Sequence, residues 1–236
     1  MVYLLLFYSI FGTVLLLLVA RLFGISPGAL QKPGPAQATV LIISQVLLSG
    51  ATLAFLYVMV RGRSTAPFWH ATGWWQFRSI VSSAPTIARY VFGGFGLALI
   101  VGWLGNFVGK QSPIPMEEFF RSRQSVLLLT ALGILVAPVV EETIFRGCIY
   151  PVIARRFGIR ASILLTGILF GLAHAQQLGG AWGQVGLLMC VGIILTYVRA
   201  RAGTVAASYL VHLGYNTILF AGFYFATGGL RHLPGA

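Results

Sequence analysis

Residues 125–147 read SVLLLTALGILVAPVVEETIFRG, an apolar run that ends in two glutamates, Glu141 and Glu142, and then reaches Arg146. The chain has four acidic residues in all, so this doublet holds half of its carboxylates. A charged side chain in hydrocarbon costs at least about 2.5 kcal/mol, so such groups normally face the interior of a helix bundle and serve a function. The stretch therefore predicts a helical membrane protein with a buried polar site.

The composition of the whole chain also indicates a multispanning membrane protein. Of its 236 residues, 58% are hydrophobic and 8% are charged, and the mean hydropathy is +0.88. Soluble domains have about 25% charged residues. The net charge of +12 comes from basic residues at the ends of apolar runs, which is the pattern of membrane topology and not of nucleic-acid binding.

We predict an all-α transmembrane bundle of about seven to eight helices, since a spanning helix needs roughly 20 apolar residues. The bundle is expected to form a single integral membrane domain over residues 1–236. The apolar runs are Val2 to Ala20, Ala38 to Val60, Tyr90 to Gly109, Ser125 toward Tyr150, Ala161 to Ala175, Ala181 to Val198 and Thr204 to Ala226.

Three local features refine this interpretation. The first run has no small-residue cleavage site and is expected to be a retained helix. Pro138 is expected to kink the fourth helix. The aromatic and basic residues between Phe68 and Arg78 predict a segment at the membrane interface. Glycines are expected to permit close helix packing at Gly93, Gly94, Gly96, Gly167 and Gly171.

The distribution of basic residues predicts the orientation. Ten of the 16 lie in the connections that follow the second, fourth and sixth runs. The positive-inside rule then places these connections, and the N-terminus, in the cytoplasm. The end of the fourth run that carries Glu141 would lie near the cytoplasmic face.

The embedded polar residues divide into two groups by their spacing. Glu142 and Arg146 are four positions apart, so on a helix they share a face and can form an ion pair. Glu141 is rotated by about 100° from Glu142 and is available for another role. His212 and Asn216 are again four apart, and His174 comes from a third run.

A second doublet shows that two adjacent glutamates are not diagnostic. Glu117 and Glu118 are also followed by an arginine, Arg121, but they lie in a polar connection where water can solvate them. The surroundings of Glu141 and Glu142, and not the doublet itself, indicate a site.

One carboxylate, two imidazoles and one amide suit two kinds of hydrolysis. Without a metal, Glu141 and His174 would deprotonate a water molecule. His212 and Asn216 would then donate hydrogen bonds to the oxyanion of a tetrahedral intermediate. With a divalent metal such as zinc, the ligands would be Glu141, His174 and His212. The sequence therefore leaves open whether the site uses a metal ion.

Other hydrolytic designs are excluded by the sequence. The chain has no aspartate, which excludes a two-aspartate protease and a Ser-His-Asp triad. It has no His-Glu-x-x-His and no Gly-x-Ser-x-Gly motif either.

Three motifs, Glu141-Glu142-x-x-x-Arg146, Phe170-x-x-x-His174 and His212-x-x-x-Asn216, resemble in order and context those of the CPBP family of intramembrane proteases, also called CAAX protease or Abi. The resemblance covers a core at residues 125–222. It implies an all-helical membrane fold with a glutamate-activated water. By the same resemblance, Glu141 would be the activating base and His174 its partner. His212 and Asn216 would bind the oxyanion, supported by Glu142 and Arg146, while Phe170 is expected to be a packing residue.

The leading hypothesis is therefore an intramembrane endopeptidase. Its expected partners are membrane lipids and a peptide or membrane-protein substrate, prenylated substrates included, with no nucleic acid. Its expected location is the bacterial inner membrane, with the site near the cytoplasmic side. Two alternatives stay open: a catalytically silent scaffold or bacteriocin-immunity protein, and a transporter, because buried ionisable groups also mark proton paths.

Overall fold

The computed structural model of the protein describes residues 2–26, 28, 35–75, 77–108 and 122–233, and every regular element in these ranges is helical. The predicted all-α bundle is confirmed. The doublet Glu117 and Glu118, with Arg121, lies outside the described residues.

The α-helices are α1 (Val2–Leu22), α2 (Pro35–Arg61), α3 (Phe68–Ala71), α4 (Phe77–Val81), α5 (Ala84–Gly105), α6 (Arg123–Ala131), α7 (Ala137–Glu142), α8 (Tyr150–Ala173), α9 (Trp182–Ala202) and α10 (Val205–Ala226). Within the described ranges, four stretches are long and apolar enough to cross a membrane: Gln37–Arg61, Ala84–Gly105, Arg123–Ala173 and Trp182–Ala202. The chain is an integral membrane protein.

Two π-helical turns interrupt the helical stretch that carries the glutamates. They are π1 (Leu132–Val136) and π2 (Thr143–Ile149), and α7 lies between them. Each ends two residues before a proline, Pro138 or Pro151. Proline has no N–H and its ring collides with the carbonyl four residues earlier, and a wider turn relieves that collision. The irregularity predicted at Pro138 therefore takes the form of the π turn in front of it.

The same stretch also folds back on itself at Gly158, whose φ of 81° and ψ of 166° are not helical. Ser162 donates a hydrogen bond of 2.7 Å to the carbonyl of Tyr150. In a straight helix, residues 12 positions apart would be separated by about 18 Å. The fourth and fifth apolar runs are therefore two helical segments on either side of a bend, and the bend carries the exposed arginines Arg155, Arg156 and Arg160.

Glycines bring α8 and α9 close together. A Cβ atom on Gly167 would meet the backbone of Ile193, and one on Gly171 would meet the backbone of Met189. From the other side, a Cβ atom on Gly192 would lie 2.7 Å from the carbonyl oxygen of Gly167. The close packing predicted for Gly167 and Gly171 is confirmed.

A second close contact joins α5 to α10. A Cβ atom on Gly94 would collide with the carbonyl oxygen of Val211, and one on Gly214 would collide with that of Val91. Of the three glycines predicted to permit this approach, only Gly94 does so, because Cβ atoms on the other two, Gly93 and Gly96, would have nothing within 4 Å. The helix α10 also packs on α7, on α9 and on both π turns, so it is the central helix of the bundle.

Replacement of Gly214 by alanine is expected to destabilise the protein by about 1–3 kcal/mol, the usual cost of overpacking. The measurement is the free energy of unfolding of the purified protein in detergent, followed by circular dichroism. Gly222→Ala on the same helix is the control, since its methyl group would have nothing within 4 Å. Alanine there should gain about 1 kcal/mol of helix propensity. Equal stability of the two variants would contradict the close approach of α5.

Candidate active site

The centre of the site is a fully buried ion pair between Glu142, the last residue of α7, and Arg146 in π2. Arg146 Nη1 donates to Glu142 Oε1 at 2.9 Å, and neither side chain has exposed surface. Arg146 Nη2 donates to the carbonyl of Gly192 at 2.9 Å, and its Nε donates to Thr196 Oγ1 at 3.3 Å. The ion pair expected from the spacing is present, and the guanidinium also ties π2 to α9.

The ring of Phe170, on α8, lies beneath this pair. It is 2% exposed, and its centroid lies 4.6 Å from Arg146 Cζ. The same ring packs against His174 at 4.7 Å and His212 at 5.8 Å between centroids. Phe170 is a packing residue, as expected, and it is the common floor under the charged and imidazole groups.

The carboxylate of Glu142 also accepts two hydrogen bonds from α10. Ser208 Oγ donates to Oε2 at 2.6 Å, and His212 Nδ1 lies 3.0 Å from Oε1. Because an ionised carboxylate only accepts, Nδ1 of His212 carries a proton. Nε2 of the same ring lies 3.7 Å from Oε2 of Glu141. His212 therefore stands between the two glutamates, with one nitrogen toward each.

His174, at the C-terminal end of α8, is oriented in the same way. Its Nδ1 lies 2.8 Å from the carbonyl oxygen of Phe170, which can only accept, so this nitrogen also carries a proton. Its Nε2 lies 3.9 Å from Oε1 of Glu141. The side chains of His174 and Glu141 are 20% and 26% exposed. The carboxylate of Glu141 therefore lies between the Nε2 atoms of two histidines, at the open side of the site.

The side chain of Asn216 bonds to the backbone of π1. In the part of the chain that the structure describes, its Nδ2 donates to the carbonyl of Gly133 at 2.7 Å, and not to Glu141 or a histidine. In π1 the N–H of Ala137 bonds to the carbonyl of Leu132, so the next donor in the series would be residue 138, a proline. The carbonyl of Gly133 thus has no helical donor, and Asn216 supplies one. The second hydrogen of the amide is not used by this bond.

Ser208 and Thr196 are site residues that sequence reasoning missed. Ser208 lies four positions before His212, as His212 lies four before Asn216, so the three share one face of α10. Thr196 lies four positions after Gly192 and donates to its carbonyl at 2.7 Å. The signal for Ser208 was the extension of the four-residue spacing by one further turn.

The connection between α2 and α5 also reaches the site. The indole Nε1 of Trp74 donates to Thr143 Oγ1 at 3.1 Å, directly after Glu142 in sequence. The carbonyl of Gly73 accepts from the backbone N–H of Val205 at 2.8 Å, at the start of α10. Two neighbouring residues of this connection therefore bond to π2, directly after the glutamates, and to α10, which carries His212.

The metal alternative stays a prediction, with Glu141, His174 and His212 as its expected ligands. Within the described ranges, no group of three or more His, Cys, Asp and Glu side chains lies together as a ready metal site.

Comparison with known proteins finds a family model and relatives that match the region containing these residues. Residues 123–218 match the model described as Type II CAAX prenyl endopeptidase Rce1-like. An uncharacterized 24.3 kDa protein of Escherichia coli is 30% identical over 51% of the chain and 59% of its own length. The UPF0177 protein YaiF of Lactococcus lactis is 36% identical over 36% of each chain. CAAX prenyl protease 2 of Arabidopsis thaliana is 29% identical over 50% of the chain and 45% of its own length.

The chain thus spans about half of the length of these relatives. No solved structure matches it significantly. The matched region contains all three motifs, from Glu141 to Asn216. Residues 123–218 thus match an Rce1-like family model, in agreement with the resemblance of the three motifs to the CPBP family.

Proposed function

We propose that the protein is an intramembrane endopeptidase of the CAAX type, in which Glu141 activates water to hydrolyse a peptide bond. The main support is the position of Glu141 between the Nε2 atoms of His174 and His212. In each ring the other nitrogen, Nδ1, already has a hydrogen-bond partner. The proposed substrate is a membrane-associated peptide, prenylated substrates included, because one relative is named CAAX prenyl protease 2.

The distances around Glu141 suit a bridging water. Separations of 3.7 and 3.9 Å from its oxygens to the histidines are too long for direct hydrogen bonds. In the proposed step, Glu141 takes a proton from water while Nε2 of neutral His174 accepts a hydrogen bond from the second hydrogen. The water oxygen attacks the peptide carbonyl carbon. Glu141 then passes its proton to the leaving nitrogen as the carbon–nitrogen bond breaks.

The position of His212 makes it the proposed oxyanion donor. Its Nδ1 lies 3.0 Å from Oε1 of Glu142, and its Nε2 faces Glu141. When both ring nitrogens carry a proton, Nε2–H donates to the developing oxyanion. The unused amide hydrogen of Asn216 is the proposed second donor.

The proposed location is the bacterial inner membrane, with the site toward the cytoplasm. Two of the basic connections meet beside the site, since Gly73, after the second run, lies against the guanidinium of Arg199, which follows the sixth. Their meeting on one side is what the positive-inside rule requires of segments that share a compartment.

Glu141→Gln is expected to lower cleavage by about 100- to 10,000-fold, the usual contribution of a general base. The measurement compares membrane peptides from cells that produce wild type or variant by quantitative mass spectrometry, followed by cleavage of the identified peptide by purified protein. The variant should unfold close to the wild-type midpoint, because Glu141 is partly exposed and makes no direct hydrogen bond to the histidines.

Glu118→Gln is the matched control, since it makes the same chemical change outside the matched region 123–218. It should cleave as wild type does. Undiminished cleavage by Glu141→Gln would reject the proposed base and favour the scaffold alternative.

Arg146→Met is expected to cost about 3–5 kcal/mol of stability, because it leaves the charge of Glu142 buried and uncompensated. The same exchange at exposed Arg155 should change stability by no more than about 0.5 kcal/mol. The double variant Glu142→Gln and Arg146→Met should lose less stability than the sum of the losses in the two single variants. Additive losses, measured by unfolding in detergent, would contradict the coupling between Glu142 and Arg146.

A further inference from the structure

An apolar pocket of about 290 Å³ lies beside the site, outside the groups that the proposed reaction uses. Its walls are the side chains of Trp69, Trp74, Phe77, Val139 and Tyr209. Three of these belong to the connection between α2 and α5, and the other two come from α7 and α10. The pocket therefore lies where this connection meets the helices of the site.

The pocket lies at a boundary of the membrane. Its aromatic connection joins two stretches that are long enough to span, Gln37–Arg61 and Ala84–Gly105. Trp69 is 51% exposed, and indole rings favour the headgroup level. Two exposed arginines lie close to the aromatic wall along the chain: Arg61 ends α2, and Arg78 follows Phe77 in α4. Positive charge beside an apolar pocket at this depth complements an anionic lipid.

The chemistry of the walls favours an acyl chain over a peptide. Phe77 and Val139 have no polar side-chain atom, and the indole N–H of Trp74 already donates to Thr143. Trp69 and Tyr209 bring one polar group each. A peptide segment would therefore leave most of its own N–H and C=O groups unpaired against these walls, which is costly. The volume lies just below the usual range of ligand pockets, which begins at about 300 Å³. One acyl chain meets both conditions.

We propose that this pocket binds one acyl chain of an anionic phospholipid, whose headgroup lies against Arg61 and Arg78. The lipid would belong to the working structure of the protein.

Two wall residues connect the pocket to the site. The carbonyl of Val139 accepts the hydroxyl hydrogen of Thr143 at 2.7 Å, and Thr143 follows Glu142 directly. Tyr209 follows Ser208, which holds the other oxygen of Glu142. An occupied pocket would therefore pack against one residue that bonds to Thr143, next to Glu142, and against another that follows Ser208. The consequence for cleavage rests on the proposed function: anionic lipid is expected to raise the rate.

The test uses the full chain in lipid vesicles and does not depend on cleavage. The vesicles consist of phosphatidylcholine with a minor share of phosphatidylglycerol. In one preparation the acyl chains of phosphatidylglycerol are brominated, and in the other those of phosphatidylcholine. Brominated chains quench tryptophan fluorescence on contact, and Trp69 and Trp74 lie in the pocket wall. At equal bromine content, quenching by phosphatidylglycerol should exceed quenching by phosphatidylcholine.

Val139→Phe fills the pocket and should abolish this excess, with Val139→Leu as a milder version if the larger side chain impairs folding. Val152→Phe is the matched control, because Val152 is 58% exposed and lies outside the pocket wall. Arg61→Gln and Arg78→Gln should each lower the preference for phosphatidylglycerol about fivefold.

Equal quenching by the two lipids, or an equal effect of Val139→Phe and Val152→Phe, would overturn the proposal. Displacement of quenching by an uncleaved substrate peptide, with no preference between the lipids, would assign the pocket to peptide instead. Glu141→Gln should keep the preference for phosphatidylglycerol, since that variant tests cleavage alone. The lipid proposal can then fail or hold independently of the proposed function.

Discussion

The structure depends on the burial of one carboxylate, that of Glu142. It has no exposed surface and accepts hydrogen bonds from Arg146, Ser208 and His212. A carboxylate this deep in a membrane bundle is tolerated only with its charge compensated and its lone pairs occupied. Its donors come from π2 and α10, and Arg146 in turn bonds to α9. One buried charge therefore fixes the relative positions of the elements that form the site.

This arrangement gives the two adjacent glutamates opposite tasks. Glu142 holds its neighbours and has no exposed surface, so a substrate cannot reach it. Glu141 is a quarter exposed and faces nitrogens that lie beyond direct hydrogen-bonding distance. The proton on Nδ1 of His212 is held by Glu142, so Nε2 of that ring is the atom that faces Glu141. The buried glutamate thus determines how the partly exposed one is surrounded.

Spacing within one helix made part of this site predictable. Four-residue intervals predicted the pair of Glu142 with Arg146 and the close packing at Gly167 and Gly171. Contacts between helices were not predictable, because they depend on the rotation and depth of each helix. The bond from His212 to Glu142 is such a contact. The position of the bend at Gly158 was not predicted either. Glycine permits a positive φ at many sites but adopts it only where packing requires it.

Replacement of Asn216 would be harder to interpret than replacement of Glu141. Pro138 has no N–H, so the carbonyl of Gly133 in π1 needs a donor from elsewhere, and Asn216 provides it. Loss of this amide would leave a polar group unpaired inside the bundle and would disturb π1, two turns before Glu141. Lost cleavage in such a variant would have two explanations, because support and chemistry are removed together. Glu141 has no comparable structural bond, so its replacement separates chemistry from folding.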